Sequence, residues 1–313
     1  MQRRAFETAT ISSYRNRASW DAAAVEILAV MLDRWELTPG AVFSGGYAAT
    51  VLAVTQADGT PAVLKIGFPH AEGVSEAIAL EAYPAGTTPI VLRQDPWMWS
   101  MLLELIKPGL PISATSIPVD AALDAAGELL ARIAAAEPES GIPSLRSVAQ
   151  GYAVAARQRF DLHRVHLDEF GVTALVAAGL DELEELAGTG IDTAMVHGDF
   201  NPGNILQSGT GFVAVDPKAM IGDPAYDLWP LVSQLGSPIG GPDPQRALER
   251  QLAIAAGAAR VDPVRAARWS FARSALNVGW YLEESKPRLA ARDADLLRAW
   301  SGVLASIRTR QRI

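Results

Sequence analysis

Met195-Val196-His197-Gly198-Asp199-Phe200-Asn201-Pro202-Gly203-Asn204-Ile205-Leu206, followed twelve residues after Asn204 by Asp216 in Val213-Ala214-Val215-Asp216-Pro217-Lys218, decides how this chain is read. Asp199, Asn204 and Asp216 all offer acceptor oxygens. The runs Asn204 to Leu206 and Phe212 to Val215, joined by Ser208-Gly209-Thr210-Gly211, predict a β-hairpin, so two of the three lie on or next to a loop and the third closes the hairpin. Phosphoryl transfer needs such a set: a carboxylate to orient a hydroxyl nucleophile, and hard oxygen ligands to hold magnesium on the ATP phosphates. An isolated His-Gly-Asp is equally an ordinary turn; Asn204 and Asp216 at this spacing favour kinase chemistry.

Around this stretch the chain reads as helical. Val119 to Ala136, Leu145 to Phe160, Val172 to Ala187, Ala225 to Gln234, Pro244 to Ala258 and Pro263 to Glu284 carry aliphatic periodicity. Asp223-Pro224 suits an N-cap followed by a proline at the first helical position. Asp227 then falls near the first turn, where it complements the helix dipole; organising the loop at Asp199, or meeting substrate, are its other readings.

The first hundred residues differ. Trp20, Ala24, Ile27, Leu28, Met31, Leu32 and Trp35 follow the helical period, with Ser19 available as a cap, which predicts a helix over 19–36. From Ala41 to Gln94 short aliphatic runs (Val51 to Thr55, Pro61 to Ile66, Ile90 to Leu92) alternate with turn signals such as Asp58-Gly59 and predict a small antiparallel sheet. A helix from about Glu72 to Tyr83 interrupts it. The strand Trp99 to Leu105 runs into the linker Lys107-Pro108-Gly109. The expected organisation is two lobes, 1–106 and 107–313.

Composition supports a globular chain. At 313 residues it exceeds the size at which one core usually keeps growing, and 49% hydrophobic against 20% charged residues leaves ample core material. Apolar stretches such as Val25 to Leu32 and Leu252 to Ala259 fall short of the ~20 residues needed to span a bilayer. The first twenty residues lack an apolar segment and cleavage site of the secretory kind, so a cytoplasmic location is expected. Zero cysteines and four histidines exclude a disulfide scaffold and disfavour a zinc cluster. With 27 basic against 35 acidic residues the net charge of −8 disfavours nucleic acid and suits a cationic or polar small molecule. Only Lys65, Lys107, Lys218 and Lys286 are lysines, and Lys65 sits inside the apolar run Val63-Leu64-Lys65-Ile66, a costly place for a charge without a partner.

His-Gly-Asp-x-x-x-x-Asn followed by a metal-binding aspartate resembles the catalytic segment of the aminoglycoside phosphotransferase superfamily, relatives of the protein kinases. Asp216-Pro217-Lys218 with Gly222-Asp223-Pro224-Ala225-Tyr226-Asp227-Leu228-Trp229-Pro230 is most similar to its streptomycin 6-kinase and hydroxyurea phosphotransferase group. Asp33-Arg34-Trp35-Glu36-Leu37, Leu102-Leu103-Glu104 and Asn277-x-x-Trp280 extend the likeness over nearly the whole chain. Protein kinases carry His-Arg-Asp and Asp-Phe-Gly at these places, and the departure favours a small-molecule kinase.

The resemblance implies an α+β, bilobal, protein-kinase-like fold with a small antiparallel-sheet N-terminal lobe and a mostly helical C-terminal lobe. It implies ATP and Mg2+ as cofactors, Asp199 as the catalytic carboxylate, Asn204 and Asp216 as magnesium ligands, and His197 as a brace for the loop. In that reading Lys65 grips the α- and β-phosphates. Glu76 matches the family's helix glutamate, with Glu81 as its competitor. Ser44, Gly45 and Gly46, in Ser44-Gly45-Gly46-Tyr47-Ala48-Ala49-Thr50, bring backbone amides to the phosphates, although the same residues read as a plain hairpin turn. Backbone groups near Glu104 and Ile106 would meet adenine. Lys218 either neutralises phosphate oxygens or forms a surface ion pair.

For the acceptor, the resemblance points to Asp227, Asn277, Trp280, Glu283 and Glu284, whose acidic groups suit an amino- or guanidino-bearing sugar; solvated charge at a helix end is the competing reading. The expected activity is transfer of the ATP γ-phosphate to a hydroxyl of an aminoglycoside such as streptomycin. Hydroxyurea or another small metabolite is the alternative acceptor, and a pseudokinase acting as a binding protein is the rival from another class. Oligomeric state is not legible.

Overall fold

The computed structural model describes residues 17–43, 49–69, 73–189, 191–209 and 211–310. The chain divides into two compact units, Met1–Leu110 with Leu206–Lys218 and Pro111–Ile205 with Ala219–Ile313. The first break falls between Leu110 and Pro111, where the sequence reading places it between 106 and 107. The hairpin that ends near Asp216, placed from sequence in the second lobe, groups with the first unit because its strand pairs with the strand at Pro108.

The first unit opens with α1 (Arg17–Arg34) and a five-stranded antiparallel sheet made of β1 (Thr38–Phe43), β2 (Ala49–Thr55), β3 (Pro61–Gly67), β4 (Val91–Asp95) and β5 (Ser100–Glu104), in the order β1-β2-β3-β5-β4. α2 (Glu76–Ala82) lies between β3 and β4 in the chain. Side chains of a strand alternate between faces. Ala62, Leu64 and Ile66 of β3 accordingly join Leu52, Val54, Leu102 and the α1 residues Trp20, Ala24 and Met31 in one core, while Val63 turns to the other face with Leu80, Met101 and Leu103. Lys65 shares that second face, paired in register with Val51 and Met101. A three-stranded sheet of β6 (Pro108–Pro111), β8 (Ile205–Ser208) and β9 (Gly211–Ala214) follows, in the order β6-β8-β9. The Ala214 amide donates to the carbonyl of buried Thr87 at 2.7 Å, which anchors β9 beside the α2–β4 connection.

The second unit is helical: α3 (Val119–Ala134), α4 (Leu145–Leu162), α5 (Arg164–Glu169), α6 (Thr173–Gly188), α7 (Leu228–Gln234), α8 (Pro244–Ala259), α9 (Pro263–Glu283) and α10 (Pro287–Arg310). A two-stranded antiparallel pair, β7 (Ala194–Val196) with β10 (Met220–Gly222), frames the loop at Asp199. The apolar face of α9, including Trp269, Phe271, Ala275 and Val278, is buried. Gly179 of α6 allows close approach to α9, since a Cβ there would meet the Ala275 Cβ at 2.4 Å. Residues 225–234, expected as one helix, begin instead as a tight helical turn, Pro224–Asp227, that runs into α7. Asp223 caps it as expected, accepting from the Ala225 amide at 3.0 Å and from the Trp269 indole at 2.8 Å.

The expected fold class, a small antiparallel sheet with a mostly helical remainder, is what the structure shows. α5, β6, the β7–β10 pair and α10 were not anticipated. Among the described residues no helix is long and apolar enough to cross a membrane.

Candidate active site

In the first unit the alternation of β3 delivers Lys65, 7% exposed, to the face that carries α2. Its Nζ donates to Glu76 Oε1 at 2.5 Å and to Asp216 Oδ1 at 2.6 Å. Burial works to lower the lysine pKa, but the two carboxylates outweigh it and the net shift is upward, so Lys65 is held as a cation. Of the two candidate glutamates, buried Glu76 makes the pair, whereas Glu81 is exposed and accepts from Gln94 at 2.8 Å. Asp216 is exposed and adopts φ 57°, a left-handed turn conformation that an aspartate tolerates better than most residues. Lys218, two residues on, is half-buried.

Glu104 ends β5 and holds Ile90 twice: its amide donates to the Ile90 carbonyl at 2.9 Å, and its carboxylate accepts from the Ile90 amide at 3.2 Å. Ile106 is half-buried just beyond. Its carbonyl lies so near Gly109, at φ 72°, that a Cβ there would come within 2.7 Å, so the turn requires glycine. Ser44, Gly45 and Gly46 lie outside the described residues.

In the second unit the loop at Asp199 is built on a buried carboxylate. Asp227 Oδ2 accepts from the His197 amide at 2.6 Å, and Oδ1 accepts from the Gly198 amide at 2.8 Å. Gly198 has φ 82°. His197 is fully buried, packs edge-on against Phe200 with ring centroids 5.5 Å apart, and accepts from the Asp199 amide at Nδ1, 3.3 Å away. Asn201 Nδ2 donates to Asp199 Oδ1 at 3.0 Å, and Asn204 Nδ2 donates to the Asp199 carbonyl at 3.0 Å. The loop is thus braced from below by Asp227 and across by its two asparagines.

Burial pushes the Asp227 carboxyl up to about 7, against the pull of the two amide donors and of Arg273, with the Asp199 carboxylate adding to the rise. Arg273 is held 4.0 Å above the Tyr226 ring and 4.7 Å from that of Trp229, and donates to the Tyr226 carbonyl at 3.1 Å. The substrate assignment of Asp227 is therefore corrected. A residue with 0% exposure and both oxygens engaged cannot meet a soluble acceptor; it organises the loop. Sequence reading had this as an alternative and missed Arg273 altogether. The available signal was the position of Asp227 among Tyr226, Leu228, Trp229, Leu231 and Val232, which marks it as buried.

The remaining acceptor candidates fall at the end of α9. Trp280 is 39% exposed, donates from Nε1 to Glu284 at 2.7 Å, and lies under the Arg159 guanidinium at 5.0 Å. Arg159 also pairs with Glu283 at 2.5 Å, and Lys286 pairs with Glu284 at 2.6 Å. Both glutamates are exposed but already carry cations, partners that sequence spacing did not reveal. Asn277, half-buried, hydrogen-bonds to Asp293 of α10.

The donor chemistry suits magnesium. In the second unit the amide nitrogen of Asn204 is committed to the Asp199 carbonyl, so its oxygen is the atom that could ligate a metal; in the first unit Asp216 offers an exposed carboxylate. Hard oxygens in small number are what Mg2+ takes when it also binds phosphates and water.

Residues 34–285 match the family described as aminoglycoside/hydroxyurea antibiotic resistance kinase. A streptomycin 6-kinase of Streptomyces glaucescens is 30% identical over 292 residues, 91% of each chain. A hydroxyurea phosphotransferase of Kitasatospora aureofaciens is 28% identical over 269 residues, 85% of this chain and 75% of that one. Among solved structures, a choline/ethanolamine kinase family protein of Mesorhizobium loti superposes with a TM-score of 0.59 at 20% identity, covering 92% of this chain and 99% of that one.

Proposed function

The chain belongs to the aminoglycoside/hydroxyurea antibiotic resistance kinase family, and from that premise we propose that it transfers the γ-phosphate of ATP to a hydroxyl of an aminoglycoside of the streptomycin class. The observation that carries the phosphotransfer reading is Lys65 buried between Glu76 and Asp216. A lysine kept charged in an apolar strand is an electrostatic device for anionic oxygens, worth more in a poorly solvated site than in water.

Lys65, oriented by Glu76, would hold the α- and β-phosphates. Asn204 and Asp216 would hold magnesium, which when bound neutralises phosphate oxygens and eases the build-up of charge on the transferred group. Asp199, fixed by Asn201 and by the loop's attachment to Asp227, would accept a hydrogen bond from the acceptor hydroxyl, aim its oxygen at the γ-phosphorus and take its proton as the new P–O bond forms and the bond from the γ-phosphorus to the β–γ bridging oxygen breaks, releasing ADP. Positioning and charge stabilisation then supply the rate enhancement, with no covalent enzyme intermediate. Backbone groups near Glu104 and Ile106 are the proposed adenine contacts.

Hydroxyurea is the second acceptor reading, favoured by the hydroxyurea phosphotransferase among the relatives. The pseudokinase rival is disfavoured because Lys65, Glu76, Asp199, Asn204 and Asp216 are all present. Mass spectrometry of reactions with Mg-ATP and a panel of streptomycin, other aminoglycosides and hydroxyurea tests the reading. A streptomycin adduct one phosphate heavier supports it; modification of hydroxyurea alone replaces the acceptor; Mg-ATP binding with no product from any panel member overturns it.

A further inference from the structure

α9 meets the turn that carries Asp227 with a ladder of side chains. Arg265, Trp269 and Arg273 follow one another at the i, i+4 spacing and so share one face of the helix. Arg265 and the Trp269 indole both donate to Asp223 Oδ2, and the Trp269 ring stands edge-on to Tyr226 with centroids 5.3 Å apart. Arg273 completes the ladder, with its guanidinium 4.0 Å from the Tyr226 ring centroid, 4.7 Å from that of Trp229, and donating to the Tyr226 carbonyl at 3.1 Å. Beside it, Ser274 accepts from the Trp229 indole at 2.9 Å.

Stability accounts for the first rung, because Arg265 is matched by Asp223. Arg273 differs. Among the described residues no carboxylate forms an ion pair with it, and a methionine would pack against the two rings without bringing a charge among them. A guanidinium fixed by two rings and a carbonyl cannot swing freely toward water, so its field stays aimed. That field acts on Asp227, where it favours the ionised carboxylate against burial and the charge of Asp199. The other ionisable groups on elements packed against the turn are exposed, paired or committed. β7 and α7 carry none; α3 exposes Asp124, Glu128 and Arg132 and pairs Asp120 with Arg250; His197, on the loop, uses Nδ1 as an acceptor.

We propose that Arg273 is a positioning residue for phosphoryl transfer: it locks the turn Pro224–Asp227 against α9, so that Asp227 grips the His197 and Gly198 amides and Asp199 is held in place. The assignment rests on the phosphotransfer reading above. In this role Arg273 touches neither nucleotide nor acceptor; it acts through Asp227, whose ionised carboxylate alone accepts both amides. Without the Arg273 charge Asp227 ionises only at higher pH, and the loop loosens under conditions in which the parent still holds it.

The test uses the full chain with Arg273→Gln, which can still donate to the Tyr226 carbonyl but carries no charge, and Arg273→Lys, which keeps the charge. Turnover with Mg-ATP is followed across the neutral range with whichever acceptor of the panel is phosphorylated, and the Asp227 carboxyl is titrated by carbon NMR, its signal identified with Asp227→Asn. Arg273→Gln should lose roughly tenfold more kcat at about pH 6 than at about pH 9, the factor for an acid limb moved up by about one unit, with the KM for ATP unchanged. Arg273→Lys should keep the parent's limb. The Asp227 titration should move up in the first variant and stay in the second. Arg273→Met reads the same limb if the glutamine variant does not fold. A loss of equal size at every pH overturns the assignment, since lost packing alone would produce it. Product formed with limb and titration both unmoved removes Arg273 and keeps the proposed function. A titration that moves up in a chain that phosphorylates no panel member keeps the hold of Arg273 on Asp227 and removes the function.

Discussion

Lys65 Nζ lies 2.5 Å from Glu76 Oε1 with both residues 7% exposed, so β3 and the first turn of α2 are joined by a charge pair that water barely reaches. Removing one partner of such a pair is costly, about 3–5 kcal/mol, because the other charge stays buried. Here Asp216 remains to hold Lys65, which lessens that loss. Glu76→Ala should leave a foldable protein whose kcat/KM for ATP falls about a hundredfold, since the lysine is no longer aimed. Steady-state kinetics with varied ATP checks this, and unchanged ATP kinetics would remove Glu76 from the site. The Lys65 pKa is raised, so the stabilisation from its pairing is complete below the ordinary lysine range and is lost only as pH rises through the folded-state value. Glu76→Ala should therefore alter alkaline unfolding.

Asp199 sits half-buried on a loop whose shape depends on the backbone of its neighbours. Asp199→Ala removes the carboxylate and keeps those bonds. Turnover should fall by about 10² to 10⁴ while Mg-ATP affinity stays near that of the parent, measured as product formation against nucleotide titration. Normal turnover in this variant would refute the assignment of Asp199.

Asp227 predicts opposite trends for stability and rate. Its carboxyl is raised to about 7, so the folded state binds that proton more tightly than the unfolded chain does. The stability from this group is complete below the usual aspartate range and declines as pH rises through about 7. Activity should run the other way, because only the ionised carboxylate accepts both loop amides: kcat should fall as pH is lowered through about 7. Asp227→Asn should lower kcat by about 10- to 100-fold and abolish that acid limb in a pH–rate profile. An unchanged profile would show that the loop does not depend on Asp227.

Gly179→Ala would set a Cβ 2.4 Å from that of Ala275, in a contact between two long helices. The expected cost is about 1–3 kcal/mol, read as a lower midpoint in chemical denaturation, with ATP and acceptor KM unchanged. An unshifted midpoint would mean that α6 and α9 relax without penalty.

What the sequence disclosed depended on the range of the interactions. Lys65 was legible because a cation inside Val63 to Ile66 is a local anomaly, and the loop because its polar residues are close in sequence. Glu76 and Glu81 stayed in competition until the start of α2 was known, since a shift of a few residues changes which glutamate faces β3. α10 went unread because Arg288, Arg292, Asp293, Asp295 and Arg298 obscure a buried stripe at Ala290, Ala294, Leu297 and Leu304 that has the helical period. β7 and β10, at three residues each, are shorter than any alternation that could announce them. The charges of Glu283 and Glu284 were plain, but Arg159, which takes the first, lies 124 residues away in the chain.

The alternation of β3 makes the strand unusually sensitive to its own length. Ala62, Leu64 and Ile66 supply the α1 side and Lys65 the α2 side. A single residue inserted between Pro61 and Lys65 would exchange the two sets, driving an ammonium among Trp20, Met31 and Leu52 and turning aliphatic side chains toward Glu76. Substitutions here trade tenths or units of stability one position at a time, whereas an insertion or deletion inverts both faces at once. Length variation in this family of folds should accordingly collect in the turn at Asp58-Gly59, where the chain can grow without changing which way Lys65 points.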